Sequence, residues 1–213
     1  MSPTLRKTTP VTCSSQTCDG CDIQGKLLCN HTPRDLMDFW VLFMTFAIPF
    51  LIGMILGRFW WGLAIWFGLA VIFFGYVEAL VLCRHCPHYA ESGFLLRCHA
   101  NWGLPKIPKF NPRPSNKIEK TVWLIYVAVL MLWYVPFFIV SQQWLLLGLT
   151  TWALFASGWT LQRTKCSRCY NLSCPVNRVP EETREKFFEH YPIFAQAWSV
   201  EHGSKHEPKP FRH

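Results

Sequence analysis

The sequence predicts an all-α membrane protein: four transmembrane helices in two hairpins, with cytoplasmic cysteine-rich segments. Three observations carry that prediction. Hydrophobic residues make up 51% of the chain, and 11 Trp and 17 Phe in 213 residues exceed what a soluble core of this size needs. Four apolar stretches absorb the excess, residues 36–57, 59–82, 122–141 and 144–161, each near the roughly 20 residues that cross a bilayer as a helix. The links "GRF" and "SQQ" allow only tight turns, so the helices pair as hairpins.

The third observation is the distribution of charge. In a two-hairpin arrangement both termini and the central loop share one face, and 20 of the 21 Lys and Arg residues fall there, leaving Arg58 alone on the other. Basic residues favour untranslocated loops, so the shared face is expected to be cytoplasmic and the protein to sit in the cytoplasmic (inner) membrane. The net charge of +8 is thereby a topology signal, and nucleic acid is not an expected partner. The first 30 residues are polar and lack a basic region leading into an apolar core, so no cleavable signal is expected and the first helix serves for targeting.

Along the chain the expected units are an N-terminal Cys-rich segment (1–35), hairpin 1 (36–83), a Cys/His- and Pro-rich loop (84–120), hairpin 2 (121–163), a C-terminal Cys-rich and amphipathic segment (164–198) and a disordered tail (199–213). Helix 1 should begin at "TPRD", with Thr32 as N-cap, Pro33 at the first helical position and Asp35 closing a capping box. Asn116 and Glu119 have the same spacing before helix 3. Four prolines in residues 105–114 favour an extended loop. Trp102, Phe110, Lys106, Lys109 and Arg113 are expected to line the lipid headgroups. Gly53 and Gly57 suggest a close helix-packing face.

The two halves correspond: each hairpin runs into a Cys-x-x-Cys followed by a third cysteine, which suggests an internal repeat. All ten cysteines lie on or beside the expected cytoplasmic face, where thiols stay reduced and clusters serve as metal ligands rather than disulfides. Cys13, Cys18, Cys21 and Cys29 could complete a tetrahedral site alone. Cys83, Cys86 and Cys98, and likewise Cys166, Cys169 and Cys174, need a further ligand. That ligand is either a histidine (His85, His88 or His99) or a thiol from the other half, with Cys83, Cys86, Cys166 and Cys169 meeting across the repeat. The cofactor is an iron-sulfur cluster, slightly preferred, or zinc; Cys86-Pro87 and Cys174-Pro175 have the Cys-Pro pairing of ferredoxins without their ligand spacing.

Other chemistries fit less well. No Cys-x-x-Cys is followed by His, and no histidine lies inside an apolar stretch, which argues against c-type and intramembrane b-type haem. Glu78 is the one acidic residue well within a span, too little polar lining for a channel; it either reaches the interface or serves the metal site. "RHCPHY" within a loop between helices 2 and 3 resembles part of the Asp-His-His-Cys-Pro motif of protein S-acyltransferases, although Arg84 stands where that motif's Asp-His pair begins. The resemblance covers six residues plus topology, and implies Cys86 as nucleophile and His85 as base. The leading expectation is a membrane metal protein working in electron transfer or redox sensing with a membrane or cytoplasmic redox partner. A structural zinc scaffold and a thiol acyltransferase are the alternatives.

Overall fold

Thr32 and Asn116 each open a long helix in the same way. The Thr32 hydroxyl accepts the Asp35 N–H while the Asp35 carboxylate takes the Thr32 N–H, and Asn116 and Glu119 make the identical reciprocal pair. The structure, a computed structural model, describes residues 20–29, 32–98 and 100–202. From these caps run α1 (Pro33–Leu56) and α5 (Lys117–Leu132), the latter continuing into α6 (Tyr134–Val140). Pro136 has no N–H to offer the Leu132 carbonyl, which is why α5 ends there and restarts as α6.

Both long helices return through matching turns. After α1, Gly57, Arg58 and Phe59 donate to Gly53, Ile55 and Met54; after α6, Ser141, Gln142 and Gln143 donate to Phe137, Ile139 and Phe138. Arg58 (φ 57°) and Gln142 (φ 54°) both take the left-handed conformation, which non-glycine residues adopt at some cost and which closes the last orphan carbonyls of the helix. α2 (Trp60–Ile72) and α7 (Trp144–Thr164) follow.

The helix after the first turn is interrupted by one π-type turn, Phe73–Val77, before α3 (Glu78–Val81). There the Glu78 N–H reaches back to the Phe73 carbonyl, five residues away, shifting the helical phase so that Glu78 faces inward.

Four helical spans, Pro33–Leu56, Trp60–His85, Lys117–Val140 and Trp144–Arg168, are long and apolar enough to cross a membrane. Their outer faces carry exposed Val41, Ile48, Val71, Trp152 and Phe155, consistent with a multi-pass membrane protein. Inside, Phe46, Phe50, Met54, Trp66, Tyr134 and Phe138 form the core. Lipid gives no hydrophobic drive between helices, so close packing and polar bonds hold them together. Gly53 lets the Phe138 ring lie where a Cβ would otherwise be. Ser157 of α7 bonds Thr45 at 2.6 Å and the Leu42 carbonyl at 3.0 Å, while Trp66 and Trp133 indoles donate to the Leu130 and Gly62 carbonyls. Gly57 is instead the C-cap of α1, packed on Phe59.

The segments beyond the helices depart from the expected pattern in three ways. The chain is not wholly α: after the short α4 (Pro87–Ala90), the loop forms two antiparallel strands, β1 (Leu95–Arg97) and β2 (Trp102–Pro105). They are too short to show an alternating pattern, and Gly93 and Gly103, both at positive φ, permit the bends. Of the five expected headgroup residues, Trp102 and Lys109 are exposed, but three are turned inward: Phe110 packs into the core around Phe194, the Lys106 ammonium donates to the Glu91 carbonyl at 2.7 Å, and Arg113 forks onto Glu119. Finally, α8 (Glu181–His190) is followed by α9 (Pro192–His202), which continues past the expected start of the tail because Trp198 packs on Phe188 and Ser199 bonds the Gln196 carbonyl.

Candidate metal centre

The Cys-x-x-Cys pairs that follow the two hairpins each sit on a single tight turn at the end of a long helix, Cys83–His85 after α3 and Cys166–Arg168 after α7. In both, the second cysteine's N–H donates to the first one's carbonyl, which aims the two side chains to the same side of the turn.

The turns are pinned by reciprocal ion pairs. Arg84, beside Cys83, donates to Glu119 at 2.7 Å; Lys165, beside Cys166, donates to Asp35 at 3.0 Å and Asp38 at 3.2 Å. Glu119 and Asp35 are the capping-box acids of α5 and α1, so each Cys turn is fastened to the start of the other half's first helix. Arg113 adds two more bonds to Glu119. Charge-assisted pairs with this little solvent access fix position as well as contributing energy.

Asn101 joins the first-half thiols. Its Nδ2 donates to Glu78 at 2.8 Å and to the Cys83 sulfur at 3.4 Å, and its backbone N–H reaches the Cys98 sulfur at 3.1 Å. Glu78, buried and also met by the Trp123 indole at 3.5 Å, therefore lies next to the cysteine group and not at an open interface. The strand pair explains how: it carries Cys98 and Asn101 back over the end of α3.

Electrostatics links Cys86 with Cys98 and with Cys169 of the other half, while among the described residues only Cys21, Asp22 and His190 bring three metal-ligating atoms within 4.8 Å of one another. Cys174 and Cys166 couple in turn to Cys169. Burial pushes the Cys86 and Cys169 thiols up strongly, Cys98 to about 11 and Cys174 to about 12. Opposing this, hydrogen bonding by nearby backbone N–H groups favours each thiolate, as with the Asn101 N–H 3.1 Å from the Cys98 sulfur. Such donors stabilise the thiolate and tune a bound metal. The eight described cysteines are free thiols.

The expected histidines lie elsewhere. His85, fully enclosed, has Nδ1 3.0 Å from the Asn111 carbonyl and Nε2 3.4 Å from Glu119; no hydrogen bond joins it to Cys86 among the described residues. His88 has Nδ1 2.9 Å from Glu91 and Nε2 3.1 Å from the Leu28 carbonyl. Leu28 also donates to the Arg168 carbonyl at 2.8 Å, so the N-terminal segment straps both Cys turns. Ile23 and Leu27 hold the strap against Tyr170, Phe187 and Phe194.

Of the N-terminal cysteines, Cys21 and Cys29 both pack against this core, and Cys21 lies 3.9 Å from His190. Cys13, Cys18 and His99 fall outside the described residues. Asn101, Asp22 and His190 escape sequence reasoning because their partners are far away in the chain, 169 positions for His190 and Cys21. Asn101 alone left a local signal, being three residues after Cys98.

Fold and site together define a helical, cysteine-rich protein of membrane-spanning dimensions. No family model matches the chain, and no curated protein or solved structure matches it either.

Proposed function

We propose that the protein is a multi-pass protein of the cytoplasmic membrane whose two halves, each one helical hairpin, share a single Cys-ligated metal centre on the cytoplasmic face. The centre serves electron transfer or redox sensing. The reading is supported by the electrostatic influence of Cys98 and Cys169 on Cys86, which joins thiols of both halves, and by the Asn101 N–H 3.1 Å from the Cys98 sulfur. Cys174, likewise supplied with N–H donors, is the fourth ligand of choice.

An internal duplication supports a shared centre. Four matching features recur at a constant offset of 84 positions: the caps Thr32 and Asn116, the cap acids Asp35 and Glu119, the left-handed turn residues Arg58 and Gln142, and the helix starts Trp60 and Trp144. Two such halves related by an axis along the membrane normal bring equivalent cysteine turns to one end of the bundle.

An iron-sulfur cluster is preferred to zinc, because a buried, N–H-bonded thiolate set beside a carboxylate suits a centre whose potential must be tuned. When bound, the cluster supplies one-electron chemistry; the chain's residues hold it, exclude water and set its electrostatics. A redox partner would dock on the same face. Structural zinc is the second reading, favoured by the same free thiols.

Anaerobic purification with metal analysis tests the proposal. Brown protein with iron and acid-labile sulfide is expected; colourless protein with stoichiometric zinc would install the scaffold reading, and metal-free protein would remove both. Orientation is checked separately. A reporter after His213 and a thiol label introduced at Lys117 should both be cytoplasmic, and protection of either from cytoplasmic reagent contradicts the assignment.

A further inference from the structure

We propose that Cys21, Asp22 and His190 form a second, exchangeable zinc site that clips the N-terminal segment to the end of α8. It shares no ligand with the centre proposed above and stands independently of it.

The three ligand atoms lie within 4.8 Å of one another, the one such grouping of three metal-binding side chains among the described residues. His190 Nε2 is 3.9 Å from the Cys21 sulfur and 3.2 Å from Asp22 Oδ1. Tetrahedral zinc, with its bonds of about 2.3 Å to sulfur and about 2.0–2.2 Å to nitrogen and oxygen, sets these separations at about 3.6 Å and about 3.4 Å. Two edges of the trio are thus within a few tenths of an ångström of those of a tetrahedral face, and the third, between the Cys21 sulfur and the Asp22 carboxylate, is no longer than 4.8 Å. A simple ion pair of His190 with Asp22 would account for the second distance but needs no thiol at the same nitrogen.

Both arms of the clip are built from packed chain. Cys21 and Asp22 lead into the tight turn closed by the Gln24 N–H on the Cys21 carbonyl, and the next residue, Ile23, is buried under Phe187 and Tyr191. His190 is the last residue of α8, whose C-terminal turn carries those same aromatic rings. The competing cation, Lys186, is held by Glu182 at 3.0 Å. Thiolate, imidazole and carboxylate together are a donor set that zinc accepts, and three protein ligands leave the fourth position to water. Asp22 and His190 are exposed, so the ion can enter and leave without unfolding the chain. The all-cysteine N-terminal site that spacing suggested includes Cys13 and Cys18, which lie outside the described residues, and Cys21 and Cys29 both pack against the core around Phe187.

The test uses full-length protein in detergent carrying Cys86→Ser, so that the first centre is lost, with cobalt(II) as the spectroscopic probe for zinc. One equivalent of tetrahedral, thiolate-bound cobalt is expected, with affinity falling at least about tenfold on adding either His190→Ala or Asp22→Asn. Unchanged affinity in those variants, or no tetrahedral signal before they are made, overturns the site. Should the variants misfold, X-ray absorption of the zinc-loaded Cys86→Ser protein decides: a mixed sulfur and nitrogen/oxygen shell is expected, and an all-sulfur shell overturns the assignment.

Discussion

Cys86→Ser and Cys169→Ser are each expected to empty the same metal centre, and the double variant to lose no more metal than either alone. Once one ligand is gone and the centre has been lost, removing a second leaves nothing to disrupt, so the two effects must be strongly non-additive. Metal content per chain, measured anaerobically, reads this directly. Cys86 and Cys169 are chosen because they belong to different halves and influence one another electrostatically. Additive loss, one equivalent for each substitution, would give each half its own site and refute the shared centre.

The second large effect is expected at Glu119, which accepts Arg84 and Arg113, neighbours His85 and closes the α5 capping box. Glu119→Ala leaves two guanidinium groups without their partner and uncaps a helix. The expected destabilisation is about 3 kcal/mol, at the low end for breaking a buried pair because both arginines keep some contact with solvent. Metal occupancy should fall with it, since Arg84 holds the Cys83–Cys86 turn. Glu119→Gln can still close the capping box and should lose only the charge component. Reversible unfolding in detergent measures both; an alanine variant as stable as the parent would show that the network does not fasten the turn.

Much of the helical frame was legible in the residues because its signals are local. The capping boxes at Thr32 and Asn116, the lengths of the apolar stretches and the short turns at Arg58 and Gln142 each depend on neighbours a few positions apart. The loop between helices was misjudged for a related reason. Prolines in residues 105–114 argue for extended chain, which is right locally. They say nothing of the strand pair before them or of Arg113 and Lys106 finding acceptors inside the protein.

Histidine positions show the same limit more sharply. His85 and His88 sit beside cysteines in sequence and so qualify as ligands by spacing, yet their ring nitrogens meet Asn111, Glu119, Glu91 and the Leu28 carbonyl. His190, with no cysteine near it in the chain, is the histidine that reaches a thiol.

By itself, then, the sequence determined the four apolar helices, where they start and turn, and the existence of two similar cysteine turns, because helix formation and capping are decided within one or two turns of chain. Only the tertiary structure decided which carboxylates fasten the cysteine turns. It also decided that Asn101 bonds both Glu78 and Cys83 and that an N-terminal cysteine faces the end of α8. Those contacts join residues separated by tens to more than a hundred positions, and their geometry exists only once the helices have packed.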